Sequence, residues 1–304
     1  MIVARVHGRT CPTVPTPSRG GSLSHMIKLF AADLDGTLLN GLHLTDRTIL
    51  RSIARVRKAG MHFSLATGRT VRDPRQLGFQ KNVCVVCGNG SMVLGEDGTL
   101  LRSHPLDQAF VEELVTRFST EPLEFITTEH TYHLQSEEAH RAAYSHMALW
   151  RRVVTRGMSM TGGPEHVYNC TPAQIAALRV VKINAHIAGM GRADQIHDFL
   201  NAHTDVATNA PFDPCMFEIT AAGVDKGEAV SWLANHLGIR DDEVAVYGDG
   251  GNDIAMLRRF SHAYATHGAS DDAKRAAGNV IGSCITHAVP HHVVRTLRTQ
   301  GSLA

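Results

Sequence analysis

From residue 27 onward, apolar positions alternate between two patterns. Residues 27–34 read IKLFAADL, a short apolar run ending in acidic residues. This predicts a buried strand with functional groups at its carboxyl end. Ile49, Leu50, Ile53 and Val56 then recur at helical spacing, with Thr45 placed to cap that helix and Gly60 to end it. Residues 61–66 and 82–87 return to strand character. Strand, helix, strand in this order argues for a parallel sheet with right-handed crossovers. Gly95-Glu96-Asp97-Gly98 between apolar residues predicts a hairpin over 91–102.

The character changes near Pro105. Phe110, Val111, Leu114, Val115 and Phe118 form a helical stripe that reads as core. Strand-like pieces follow at 123–127, 131–134 and 179–187, then a helix over 192–201 and strands near Val206 and at 216–220. The parallel pattern resumes with a helix over 226–237, a strand at 244–247 and a helix over 253–259. The expectation is a core in two parts, 26–104 and 221–304, split by an inserted sheet-and-helix domain at 105–220. Thr10 to Gly21 is rich in Pro, Thr, Ser and Gly, so residues 1–25 are expected to be a disordered extension, with Met26 as the native start.

Composition narrows the function classes. The 304 residues are 43% hydrophobic and 19% charged, with a formal net charge of +1, which gives no electrostatic reason to expect nucleic acid or an anionic membrane as partner. No apolar run approaches the roughly 18–20 residues a spanning helix needs. Six cysteines in a chain of this size, without an export signal, read as reduced thiols in a cytoplasmic protein. Cys84 and Cys87, three apart in a strand, point to opposite faces and so do not form a metal pair. The 19 histidines are scattered rather than clustered.

Four distant segments carry candidate chemistry. Asp33-Leu34-Asp35-Gly36-Thr37 ends the first strand, where open parallel sheets bind ligands. One carboxylate there can attack phosphorus while the other moves protons, and Gly36 permits a tight turn beside a phosphate. Thr67-Gly68-Arg69 ends the second strand and offers a hydroxyl beside an unobstructed backbone. Lys226 opens a helix and can neutralise a phosphoryl group. Asp249 and Asp253, in Gly248-Asp249-Gly250-Gly251-Asn252-Asp253, follow another apolar strand and complete an oxygen-rich set suited to Mg²⁺.

Together, and in this order, these segments resemble the haloacid dehalogenase superfamily of phosphohydrolases, within it the Cof-type group with a large alpha/beta cap (class IIB). The signatures are Asp33-Leu-Asp-Gly-Thr-Leu-Leu, Ala66-Thr-Gly-Arg and Gly248-Asp-Gly-x-Asn-Asp-x-x-Met-Leu257. The resemblance implies a doubly wound α/β core with a parallel sheet, an inserted α+β cap, and hydrolysis of a small phosphorylated metabolite such as a sugar phosphate, pyridoxal phosphate or flavin mononucleotide.

It also implies roles. Asp33 is the nucleophile and Asp35 the general acid, then base. Thr67, Gly68, Lys226 and Asn252 hold the phosphoryl group. Asp33, the backbone carbonyl of Asp35, and Asp249 bind Mg²⁺, while Asp253 orients Lys226. In the cap, Tyr132, His133, Asn184, His186 and Asn209 are candidates to face substrate. A sugar-phosphate mutase, a trehalose- or mannosyl-glycerate-phosphate phosphatase, and a catalytically silent phosphate sensor are the competing readings, and the chain is expected to be a monomer or homodimer. One departure is His267, where similar proteins carry a small or flexible residue after the fourth motif.

Overall fold

The computed structural model describes residues 26–79, 82–143, 166–210 and 214–303. The expected disorder of residues 1–25 lies outside the described residues. Strands β1 (Leu29–Ala32), β2 (His62–Ala66), β3 (Cys84–Cys87), β4 (Met92–Leu94), β5 (Leu100–Ser103), β12 (Val244–Gly248) and β13 (His262–Ala265) form one sheet in the order β13-β12-β1-β2-β3-β4-β5. The five from β13 to β3 run parallel, and β4 and β5 add an antiparallel edge.

Both faces of this sheet are covered, which explains its nearly continuous apolar strands. Phe30 and Ala32 of β1 face Ile49, Ile53, Val56, Val289, Val293 and Leu297. Leu29 and Ala31 face the opposite layer, with Ala229, Leu233, Met256 and Leu257. Cys84 lies in the second layer and Cys87 in the first, so the two thiols do diverge. Burial pushes Cys84 up to about 12 and Cys87 up to about 11.

The helix Arg47–Lys58 is capped by Asp46, whose carboxylate accepts from the backbone N–H groups of Thr48 and Ile49. Thr45, expected as the cap, instead donates its hydroxyl to the Leu77 carbonyl 2.7 Å away, one residue too early to reach the free helix donors. Gly60 ends that helix in the left-handed region, φ 73°. Among the described residues no helix is long and apolar enough to cross a membrane.

The inserted region forms a second sheet, β10-β11-β9-β6-β7-β8, from β6 (Leu123–Ile126), β7 (Thr131–Tyr132), β8 (His166–Val167), β9 (Lys182–His186), β10 (Ala207–Asn209) and β11 (Met216–Ala221). Phe125, Ile183, Ala185, Phe217 and Ile219 point to one face and pack on the helices Gln108–Arg117 and Met190–Asn201. Alternation sends Glu124, Lys182, Asn184 and Glu218 to the other. The cross-strand register aligns Glu124, Asn184 and Glu218 in one polar row.

Candidate active site

β1 and β12 are neighbours, so their carboxyl ends bring Asp33 and Asp249 together although 216 positions separate them in the chain. The Asp33 backbone N–H donates to Tyr247 O at 2.9 Å and fixes the nucleophile candidate at the rim. The chain then turns through Gly36, φ 78°. A Cβ at Gly36 would collide with the Asp249 carboxylate, its Cγ only 2.8 Å away, so this position requires glycine twice over. Thr37 Oγ1 donates to Asp249 Oδ1 at 2.7 Å.

Lys226 begins the helix Lys226–His236 and is fully buried. Its Nζ donates to Asp33 Oδ1 and to Asp253 Oδ1, each at 2.7 Å. The second oxygen of Asp253 accepts from the backbone N–H groups of Asp249 and Gly250, both at 2.9 Å. Asp253 therefore has both oxygens engaged in orienting its neighbours. Asp33, Asp249 and Asp253 each place one oxygen within 4.8 Å of the others.

Three carboxylates face one ammonium, a formal excess of two negative charges in a site where Asp33 is only 6% exposed. Burial, with Asp253 and Asp249 adding to it, raises the Asp33 pKa well above the carboxylate range against the pull of Lys226. Asp249 is pushed up to about 6 by burial, opposed by the Thr37 hydroxyl. Burial works against the Lys226 charge, but Asp253 and Asp33 outweigh it and hold the ammonium protonated. An all-oxygen cluster short of two positive charges is the donor set that suits a hard divalent cation.

Asp35 is held differently. Its carboxylate is bonded by Arg69, with Nε to Oδ2 at 2.7 Å, and by His43 Nδ1 at 3.1 Å. Burial tends to raise its pKa, yet Arg69 and then His43 keep it below the ordinary value. In this conformer Asp35 is an anion aimed at Arg69. Thr67 and Gly68 sit at the end of β2, where the Thr67 hydroxyl accepts from the Arg69 N–H. Asn252 Nδ2 donates to Asn89 Oδ1 at 3.0 Å.

The polar face of the cap sheet reaches this rim directly. Lys182 Nζ donates to Gly68 O at 2.8 Å and pairs with Glu218 Oε1 at 3.1 Å. Asn89 Nδ2 donates to Glu218 Oε2 at 2.6 Å, so a polar chain runs from Glu218 through Asn89 to Asn252. Arg72 of the core clamps the carbonyls of Thr127, Thr128 and His130. Sequence reasoning missed these residues. The available signals were Gly88-Asn89-Gly90 at a parallel strand's carboxyl end, and the charges Lys182 and Glu218 alternating with apolar residues in two cap strands.

The expected cap residues divide. Asn184 lies in the row beside Glu218 and Glu124, and alternation puts His186 on that same face. Tyr132 turns the other way and packs against the cap core. Asn209 Oδ1 accepts from the Glu218 N–H and so positions the strand backbone. His133 is fully buried, stacked on His166 and Tyr168 with its Nε2 2.7 Å from His166 Nδ1. His267 is exposed, and its backbone N–H donates to Gly282 O.

Burial and neighbouring imidazoles push His133 down to about 3 and His140 down to about 4. Both are neutral in the fold and ionise near 6.5 when unfolded. Their contribution to stability is complete above about pH 6.5 and is lost as pH falls toward the folded values. Urea unfolding is expected to show each costing about 1–2 kcal/mol between pH 7 and 5. The loss should be smaller in His133→Gln, and an identical pH slope in both proteins would refute this.

The family model for haloacid dehalogenase-like hydrolases matches residues 30–293. An HMP-PP phosphatase of Citrobacter koseri is 25% identical over 279 residues, covering 90% of this chain and 96% of its own. A crystal structure of a Thermotoga maritima protein superposes with a TM-score of 0.74 at 19% identity, covering 89% of this chain and 97% of its own. A haloacid dehalogenase-like hydrolase from B. subtilis gives 0.73 at 23% identity, covering 88% and 99%.

Proposed function

Because the chain belongs to the haloacid dehalogenase-like hydrolase family, we propose that it is a Mg²⁺-dependent phosphatase of small phosphomonoesters that works through an aspartyl-phosphate on Asp33. The observation that carries the reading is the buried cluster of Asp33, Asp249 and Asp253 around Lys226, which lacks two positive charges. Asp33, Asp249 and the Asp35 backbone carbonyl would hold the ion. Bound there, Mg²⁺ would supply the charge that lets an anionic nucleophile approach an anionic phosphoryl group.

The residues then divide the work. An Asp33 oxygen attacks phosphorus, the bond to the leaving oxygen breaks, and that oxygen takes a proton from Asp35. Asp35, now a carboxylate, takes a proton from water as the water oxygen attacks the same phosphorus and frees Asp33. The products are the alcohol and inorganic phosphate. Thr67, Gly68, Asn252 and Lys226 hold the phosphoryl oxygens through both steps. The bonds from Arg69 and His43 keep Asp35 an anion, so they have to open before it can act as an acid.

The cap supports a small substrate. Lys182 and Glu218 tie its polar face, and Arg72 its β6–β7 turn, to the core, leaving the ester's organic part to be read by that face. The test is a panel of sugar phosphates, pyridoxal phosphate, flavin mononucleotide and, from the relative's name, HMP-PP. Phosphate release is expected with Mg²⁺, to vanish in EDTA and to return on adding Mg²⁺. Full rate in chelator would contradict the metal assignment.

A further inference from the structure

On the flank of the core, away from the carboxyl rim, the helices Arg47–Lys58 and Ala288–Thr299 pack side by side over one face of the sheet. The groove between them holds a cavity of about 480 Å³, lined by Arg51, Arg55, Arg295 and Arg298 with His291 and Ser52. A second cavity of about 500 Å³ adjoins it and shares His291 and Arg295. No Asp or Glu lines either one. We propose that this groove is a second, non-catalytic binding site for a small polyphosphate anion.

All four arginines are exposed, and among the described residues none forms an ion pair with a carboxylate. Several other arginines are paired, Arg102 with Glu228, Arg192 with Glu121 and Arg259 with Asp241, whereas here four unpaired ones converge on one groove. Neither helix carries a single Asp or Glu within its span. Like charges at helical spacing repel, so the cluster is unfavourable unless an anion relieves it.

The spacing selects the ligand class. Arg51 and Arg55 are four apart, as are His291 and Arg295, so each pair shares one helix face about one turn, or ~5–6 Å, apart. Packed helix axes lie roughly 8–10 Å apart. Two rows of forked guanidinium donors across that gap match a short chain of phosphates, such as a di- or triphosphate, better than one phosphate.

The probe is inorganic triphosphate, titrated calorimetrically into the intact chain in EDTA. Without metal the catalytic cluster carries excess negative charge and repels the anion, so the two sites are separated. One saturable event is expected. It should weaken by at least about tenfold in Arg51→Ala/Arg295→Ala and remain unchanged in Asp33→Asn. Arg55→Gln/Arg298→Gln should repeat the loss independently. Both double variants should match or exceed the parent melting temperature and keep Mg²⁺-dependent phosphate release.

Absence of saturable binding, or parent affinity retained in either double variant, overturns the site. Loss of binding in Thr67→Ala would place the anion at the catalytic rim instead. Uptake of single-stranded oligonucleotide that tightens with length and depends on the same arginines would overturn the assignment to a small anion.

Discussion

Asp33→Asn is expected to lower phosphate release by about 10⁴-fold or more while leaving the melting temperature of the metal-free protein unchanged or raised. A neutral amide oxygen is a poor nucleophile toward phosphorus, so the covalent route closes. The fold has no reason to suffer. The carboxylate is 6% exposed, and burial, with Asp253 and Asp249 adding to it, raises its pKa against the pull of Lys226. The amide oxygen can still accept from Lys226 Nζ, so the ammonium is not orphaned. Removing one of three clustered carboxylates relieves repulsion, the usual relation between a functional charge and the stability it costs. Phosphate assays with and without Mg²⁺, paired with thermal melts, check both halves. A variant retaining even a tenth of the parent rate would rule out Asp33 as nucleophile.

The parallel core and its rim were legible because their signals are local and strong. Apolar runs ended in DLDGT, ATGR and GDGGND, and the β1–β12 and β1–β2 pairings make those ends neighbours. What the sequence concealed depends on direction and distance. Nothing in the pentapeptide at Asp33 shows that Asp35 turns toward Arg69 and His43, since that depends on a tertiary ion pair across 34 positions. Thr45 and Asp46 both suit a cap, and only the packing of Thr45 against Leu77 decides between them. In the cap, Tyr132 and Asn184 looked equivalent as polar or aromatic strand residues. Register sends one into the cap core and the other to the catalytic side. Lys182 and Glu218 were missed because their partners Gly68 and Asn89 lie far away in the chain, in the core sheet's loops.

Lys226→Met is expected to be the most damaging single change to the metal-free fold, by about 3–5 kcal/mol at neutral pH. Methionine fills similar space, so the loss is electrostatic rather than a cavity. Lys226 is fully buried and its ammonium is the shared partner of Asp33 Oδ1 and Asp253 Oδ1. Without it, two buried carboxylates face each other and Asp249, and Asp253 still has to cap the Asp249 and Gly250 N–H groups. The effect is therefore not additive with changes at its partners. Lys226→Met/Asp33→Asn should be more stable than Lys226→Met alone, because the second substitution removes one of the orphaned charges. Urea unfolding of the two single variants, the double variant and the parent measures the coupling. Strict additivity would mean that Lys226 supports the fold by packing and not by holding the carboxylates together, and the charge balance of the site would then need another account.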